Sequence, residues 1–192
     1  MENLHILSEI IKNRRSIKPA NFIEGSKVPD SVIITALENA IWAPTHGNTQ
    51  PWEFIVYTGE ALKTLNEFES ELFRSENGDV NPAKYESLKN RYKKVSHSIA
   101  ICYRKTEFSR IPEIEEIEAV ACAVQNLALS ISAAGYGGMW SSGGITYSPN
   151  AKKFFGLGEN DKLLGFYLVG EIAKAVPPGI RKPVSEKVRW NR

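Results

Sequence analysis

The chain has 192 residues, enough for one domain or at most two very small ones. Hydrophobic residues make up 42% and charged residues 24%, ordinary globular values that exclude a disordered or collagen-like chain. Lysine and arginine number 24 against 22 acidic residues, a net charge of +2, too even a balance to bind nucleic acid through net charge alone.

Leu4, Leu7, Ile10 and Ile11 fall at helical spacing, so a short amphipathic helix is predicted over 4–13. Its acidic residues precede its basic ones, the wrong order for a secretory signal, and a cytoplasmic location is expected. A second helix is expected from Asp30, with Ile33, Ala36, Leu37, Ala40 and Ile41 three or four residues apart, and Pro44 ends it. Residues 52–58 read as a strand closed by Gly59, followed by a charged helix over 60–74 and a loop over 75–79. Asn81-Pro82 offers an N-cap with proline at the first helical position. The helix it starts is expected to end in Arg91, Lys93 and Lys94, at the negative end of its dipole.

Residues 98–104 read as a buried strand. Glu113, Glu115, Glu116 and Glu118 suit the start of a long Ala- and Ser-rich helix running to about Ala134, which Gly135-Tyr136-Gly137-Gly138 terminates. A short strand or extended loop over 139–142, a short helix from Ser148-Pro149 through Phe155, and a buried strand over 162–169 complete the pattern. The proline-rich tail lacks periodicity. Loose alternation of strands and helices without a linker predicts one layered domain over 1–192, α+β or α/β.

Residues 119–151 contain no charged side chain. A spanning helix needs about 20 mostly apolar residues. Here Gln125, Asn126, Ser130, Ser132 and then glycines intervene, so the stretch reads as a buried helix and a buried loop, with no membrane partner. Cys102 and Cys122 sit in apolar runs and read as buried thiols. His5, His46 and His97 match no metal-ligand spacing, so no metal is expected. Nor does the sequence hold a P-loop, a G-x-S-x-G elbow or a correctly placed G-x-G-x-x-G.

Three segments carry candidate chemistry. Arg14-Arg15-Ser16-Ile17-Lys18 sets two guanidinium groups and a hydroxyl within three residues, suited either to a phosphate or to a solvated helix C-terminus. Residues 43–52 pack Thr45, His46, Asn48, Thr49 and Gln50 between a helix and a strand, as a polar ligand loop or a plain connector. Residues 137–144 are glycine-rich around Trp140, open to a flat ligand or simply a core aromatic in a loop.

In this order the segments resemble the nitroreductase family of flavoproteins. RRSIK at 14–18 is similar to the family's R-[RH]-S-x-[RK] element and APTHGNTQPWEFIV at 43–56 to its P-[ST]-x-x-N-x-Q-P-W element. GYGGMWSSGG at 135–144 is similar to its glycine-tryptophan stretch, and Ile180-Arg181-Lys182-Pro183 to its late basic motif. The short connection over 104–114 resembles the compact members of the family.

The resemblance implies an α+β nitroreductase-like fold, with a central mixed β-sheet flanked by helices. It also implies an intertwined homodimer with non-covalent, tightly bound FMN at the subunit interface. Arg14, Ser16 and Arg181 would hold the FMN phosphate with Arg15 beside them. Lys18 would face the pyrimidine edge, where a cation favours the reduced ring. Asn48 and Gln50 would bond the ring or ribityl chain from the partner subunit, and Trp140, Ser141 and Ser142 would line the flavin. His46 stands near the ring where many members carry a small polar residue, and is a candidate proton donor. No residue is assigned as general acid or base.

The implied activity is ping-pong hydride transfer from the co-substrate NAD(P)H through flavin N5 to nitroaromatic, quinone or similar small electron-poor acceptors. The alternatives are a flavin-storage protein, or a flavoenzyme of the same fold acting as an enone reductase, dehalogenase or oxidase.

Overall fold

The structure, a computed structural model, describes residues 1–78, 80–107, 110–174 and 176–192. His97–Tyr103 (β2) is buried at every position, as a central strand covered on both faces must be. It pairs with Trp52–Thr58 (β1) on one side and Lys162–Gly170 (β4) on the other, and Gly137–Ser141 (β3) pairs with β4 to give the order β1-β2-β4-β3.

The expected mixed sheet needs correction. Among the described residues the four strands pair antiparallel throughout, and parallel pairing is confined to one bridge from Ser16 to Gly138. The topology explains why. Helix Glu113–Ala133 (α5) carries the chain from β2 to β3 in the same direction, and β4 then fills the gap between them, antiparallel to both.

Side-chain alternation in β2 builds two cores. Ile99, Ile101 and Tyr103 join a cluster with α5 and helix Asp30–Ala40 (α2). Ala100 and Cys102 join a second cluster with Leu62 and Leu65 of helix Gly59–Asn77 (α3) and Phe155 of the 3-10 helix Pro149–Phe155. Buried Glu116 fixes the start of α5 to the sheet by accepting the Tyr103 hydroxyl at 2.8 Å. At the sheet end, Arg104 bridges Glu53 at 2.6 Å and Asp161 at 2.7 Å, joining β1 to the turn before β4.

Several boundaries move. Helix α3 runs through 75–77, which the sequence reads as loop. Ser75 and Asn77 donate side-chain bonds to the Leu72 and Phe73 carbonyls, and Gly78, at φ 64°, ends the helix. Helix Pro82–Lys89 (α4) stops before Arg91, which lies in a separate 3-10 turn and bonds the buried Glu69 carboxylate. Cys102 is buried as expected, but Cys122 is exposed. On α5 the inward positions are 116, 119, 120, 123, 124, 127, 128 and 131, so helical periodicity turns position 122 outward. The loop after β3 is buried only at Ile145 and Thr146. Helix Glu2–Asn13 (α1) buries no residue in spite of its apolar stripe.

Candidate functional site

The backbone leaves α1 at Arg14 in an extended conformation. Arg15 turns back and donates to the carbonyls of Lys12 at 2.5 Å, Arg14 at 2.9 Å and Pro177 at 3.4 Å. It thereby caps the helix and tethers the tail, whose Gly179 lies so close that a Cβ there would sit 2.9 Å from the Arg15 guanidinium carbon. The next residues cover the open edge of β3. Ser16 bridges Gly138, the Ile17 N–H donates to the Gly138 carbonyl at 2.9 Å, and the Ile17 side chain is buried. This strand-like path holds Arg14, Ser16 and Lys18 at the edge of the sheet.

Three cavities adjoin along that edge. The first, of ≈ 550 Å³, is lined by Arg14, Arg15, Gln125 and Arg181. The second, of ≈ 220 Å³, shares Arg14 and Gln125 with it and adds Ser16, Trp140 and Tyr167. The third, of ≈ 500 Å³, shares Met139 with the second and contains Lys18 and Ser141. The first two cavities thus share a wall at Arg14 and Gln125, while the third meets the second only at Met139 and lies toward the opposite face of the sheet, where Met139 and Leu168 pack. Arg14 is half-buried, and its side chain has no hydrogen-bond or ion-pair partner among the described residues. Arg181 is exposed and donates to the Ile180 carbonyl at 2.8 Å.

Close backbone approach shapes the middle cavity. Trp140 is 38% exposed, and its indole N–H donates to the Leu164 carbonyl at 2.9 Å. Gly165, at φ 123°, permits that contact, because a Cβ there would lie 2.8 Å from Trp140 Nε1. Tyr167 forms part of the wall. Burial pushes its hydroxyl up to about 12 while the Arg14 charge pulls the other way, so it is a neutral phenol at pH 7.

The loop over 43–51 is built from its own polar groups. Thr45 Oγ1 accepts the Gln50 N–H at 3.1 Å, and Gln50 Nε2 donates to Asn48 Oδ1 at 3.2 Å. These bonds hold Asn48 at φ 53° and Gln50 at φ 47°, left-handed conformations that cost a residue other than glycine roughly 1–3 kcal/mol each. His46 Nδ1 lies 2.6 Å from Glu115 Oε2, fastening the loop to the first turn of α5.

The predicted residues thus fall into two groups. Arg14, Arg15, Ser16, Lys18, Trp140, Ser141 and Arg181 each line one or more of the three cavities. His46, Asn48, Gln50 and Ser142 line none of them. Gln125 and Tyr167 were not foreseen. The one clue to Gln125 is its amide standing in an uncharged helical run, and Tyr167 reads in sequence as ordinary strand core.

The sequence pattern of the Nitroreductase family matches residues 11–171, and the chain belongs to that family. A Bacillus subtilis protein provisionally named NAD(P)H nitroreductase YfhC is 29% identical over 191 residues, covering 97% of this chain and 96% of its own. The crystal structure of a nitroreductase-like family protein from Bacillus cereus is similar with a TM-score of 0.80 at 26% identity, covering 96% and 95% of the two chains. A nitroreductase-like protein from Desulfovibrio desulfuricans, crystallised with FMN, shares the fold with a TM-score of 0.72 at 20% identity, covering 97% and 96%.

Proposed function

We propose that this chain is an FMN-dependent NAD(P)H oxidoreductase that reduces nitroaromatic, quinone or similar electron-poor acceptors. The observation that carries the proposal is Arg14, a half-buried residue whose guanidinium has no partner among the described residues and which lines two cavities. An arginine so placed suits a phosphate, which accepts forked, charge-assisted bonds. The donor set fits FMN as a whole. Arg14, Ser16 and Arg181 would take the phosphate, while Arg15, already spent on three carbonyls, shapes their surroundings. Trp140 and Ser141 would flank the ring, and Lys18 would set a positive charge at its pyrimidine edge. FMN held there would supply the redox chemistry, two-electron transfer from NAD(P)H to the acceptor in a ping-pong cycle through flavin N5.

We also propose a homodimer in which His46, Asn48, Gln50 and Ser142 complete the site from across the subunit interface. Two features support this. These residues line none of the three cavities of their own chain, and the amphipathic helix α1 buries nothing. The test is a fluorescence titration of FMN into the protein, with the oligomeric state measured alongside. One FMN per chain on a dimer is expected. Lack of FMN binding, or stoichiometric binding by a monomer, would refute the respective part.

A further inference from the structure

The third cavity is far more positive than one flavin edge requires. Lys18, Lys84, Arg91 and Lys94 all line it, with Ser87 and Asn90 between them. Arg91 is paired with Glu69, which leaves the three lysines as the uncompensated charges of the lining. Among the described residues, no carboxylate lines the cavity. Glu69 meets Arg91 from the buried side, and Glu86 accepts from Asn90 at 2.8 Å. Lys18, Lys84 and Lys94 have no ion-pair partner among the described residues, and Arg91 Nε is a buried donor without an acceptor. Pro19, Leu88, Met139 and Leu168 add apolar surface to the lining. Like charges converging on a partly enclosed space repel one another unless an anion joins them.

We infer that this cavity seats an anionic substituent on a planar or apolar body, and so selects carboxylate-, sulfonate- or phosphate-bearing substrates. The inference rests on the oxidoreductase reading, which sets Lys18 at the flavin, and assigns Lys84 and Lys94 as specificity-determining residues beyond it. The anion has two possible sources: the acceptor itself, or the 2′-phosphate that distinguishes NADPH from NADH. Both present the same chemistry to the lysines.

Equilibrium dialysis on the oxidised holoenzyme separates them. 4-Nitrobenzoate is compared with nitrobenzene, and NADP⁺ with NAD⁺, for the parent chain and for the Lys84→Met/Lys94→Met double variant. The parent should prefer the more anionic member of at least one pair by roughly fivefold to tenfold. That preference should vanish in the double variant and weaken with added salt. Loss confined to nitrobenzoate identifies the acceptor as the source, and loss confined to NADP⁺ identifies the nucleotide. Equal binding of both members in both pairs, or a preference that survives the double substitution, would overturn the inference. FMN affinity, read separately by fluorescence, tells the two readings apart. A parent chain that takes no FMN refutes the oxidoreductase reading, whereas the same dialysis on that flavin-free protein still reports the charge selectivity of the cavity.

Discussion

The ring of Tyr167 lies across Gly138, and a Cβ at position 138 would come within 2.4 Å of its Cε1 and 2.5 Å of its hydroxyl oxygen. The ring is itself buried, so relieving that overlap means pushing it into the middle cavity that it lines. Gly138 also carries the bridge to Ser16. Gly138→Ala should therefore displace both the wall of the middle cavity and the segment that bears Arg14. Overpacking of this kind costs about 1–3 kcal/mol. At roughly 2–4 °C per kcal/mol for a chain of this size, the thermal midpoint should fall measurably. An unchanged midpoint would mean that the ring shifts freely.

Neighbouring arginines should respond differently. Arg14→Ala removes an unpaired guanidinium from the proposed phosphate end, and FMN affinity should drop about tenfold to a hundredfold, the value of a charge-assisted bond. Arg15→Ala removes the cap on α1 and the tether to Pro177, so its main effect should be on thermal stability. Isothermal titration with FMN alongside thermal unfolding distinguishes the two. Equal effects of both substitutions on FMN affinity would contradict this division of roles.

A buried ion pair anchors the wall of the third cavity. Glu69 accepts from Asn66 Nδ2 at 2.8 Å and pairs with Arg91. Arg91→Met would strand a buried carboxylate, at a cost of about 3–5 kcal/mol. Replacing both partners, Arg91→Met with Glu69→Leu, should recover most of that loss, because no buried charge is left uncompensated. Urea denaturation of the single and double variants is the measurement. A double variant no more stable than the single would refute the pairing.

Asp161 links stability to acid. Burial pushes its carboxyl up, but the N–H groups of Gly158 and Lys105 and the Arg104 guanidinium outweigh that and hold it below the ordinary carboxylate range. The folded chain therefore releases this proton more readily than the unfolded one. The resulting stabilisation is complete above the unfolded pKa near ~4 and is lost as pH falls through the lower, folded value. Asp161→Asn should be less stable than the parent at pH 7, with the gap narrowing as the pH falls below about 4. A gap that stays constant with pH would show that the carboxylate charge contributes nothing.

Local signals carried the elements well. Strand β1 matches its predicted bounds because Phe54, Ile55, Val56 and Tyr57 form a β-rich run ended by Gly59. Helix α5 starts where its glutamates cluster, as the dipole favours. The three motifs were likewise legible, since each is short and contiguous. What escaped depends on contacts between distant positions. The exposure of Cys122 follows from which face of α5 meets the sheet. The break between α4 and Arg91 accompanies a carboxylate 22 residues away, at Glu69. The role of Tyr167 depends on a glycine in a neighbouring strand. Spacing alone also could not show that the 43–51 loop stands apart from the arginines it accompanies in sequence.

The central claim is that the chain takes FMN and that NAD(P)H reduces it. The most direct measurement is an anaerobic visible spectrum of the purified protein supplied with FMN, recorded before and after adding NADPH and, separately, NADH. A flavin band that shifts on binding and bleaches with either nucleotide is the predicted result. A bound flavin that neither nucleotide bleaches, or no bound flavin at all, would contradict it.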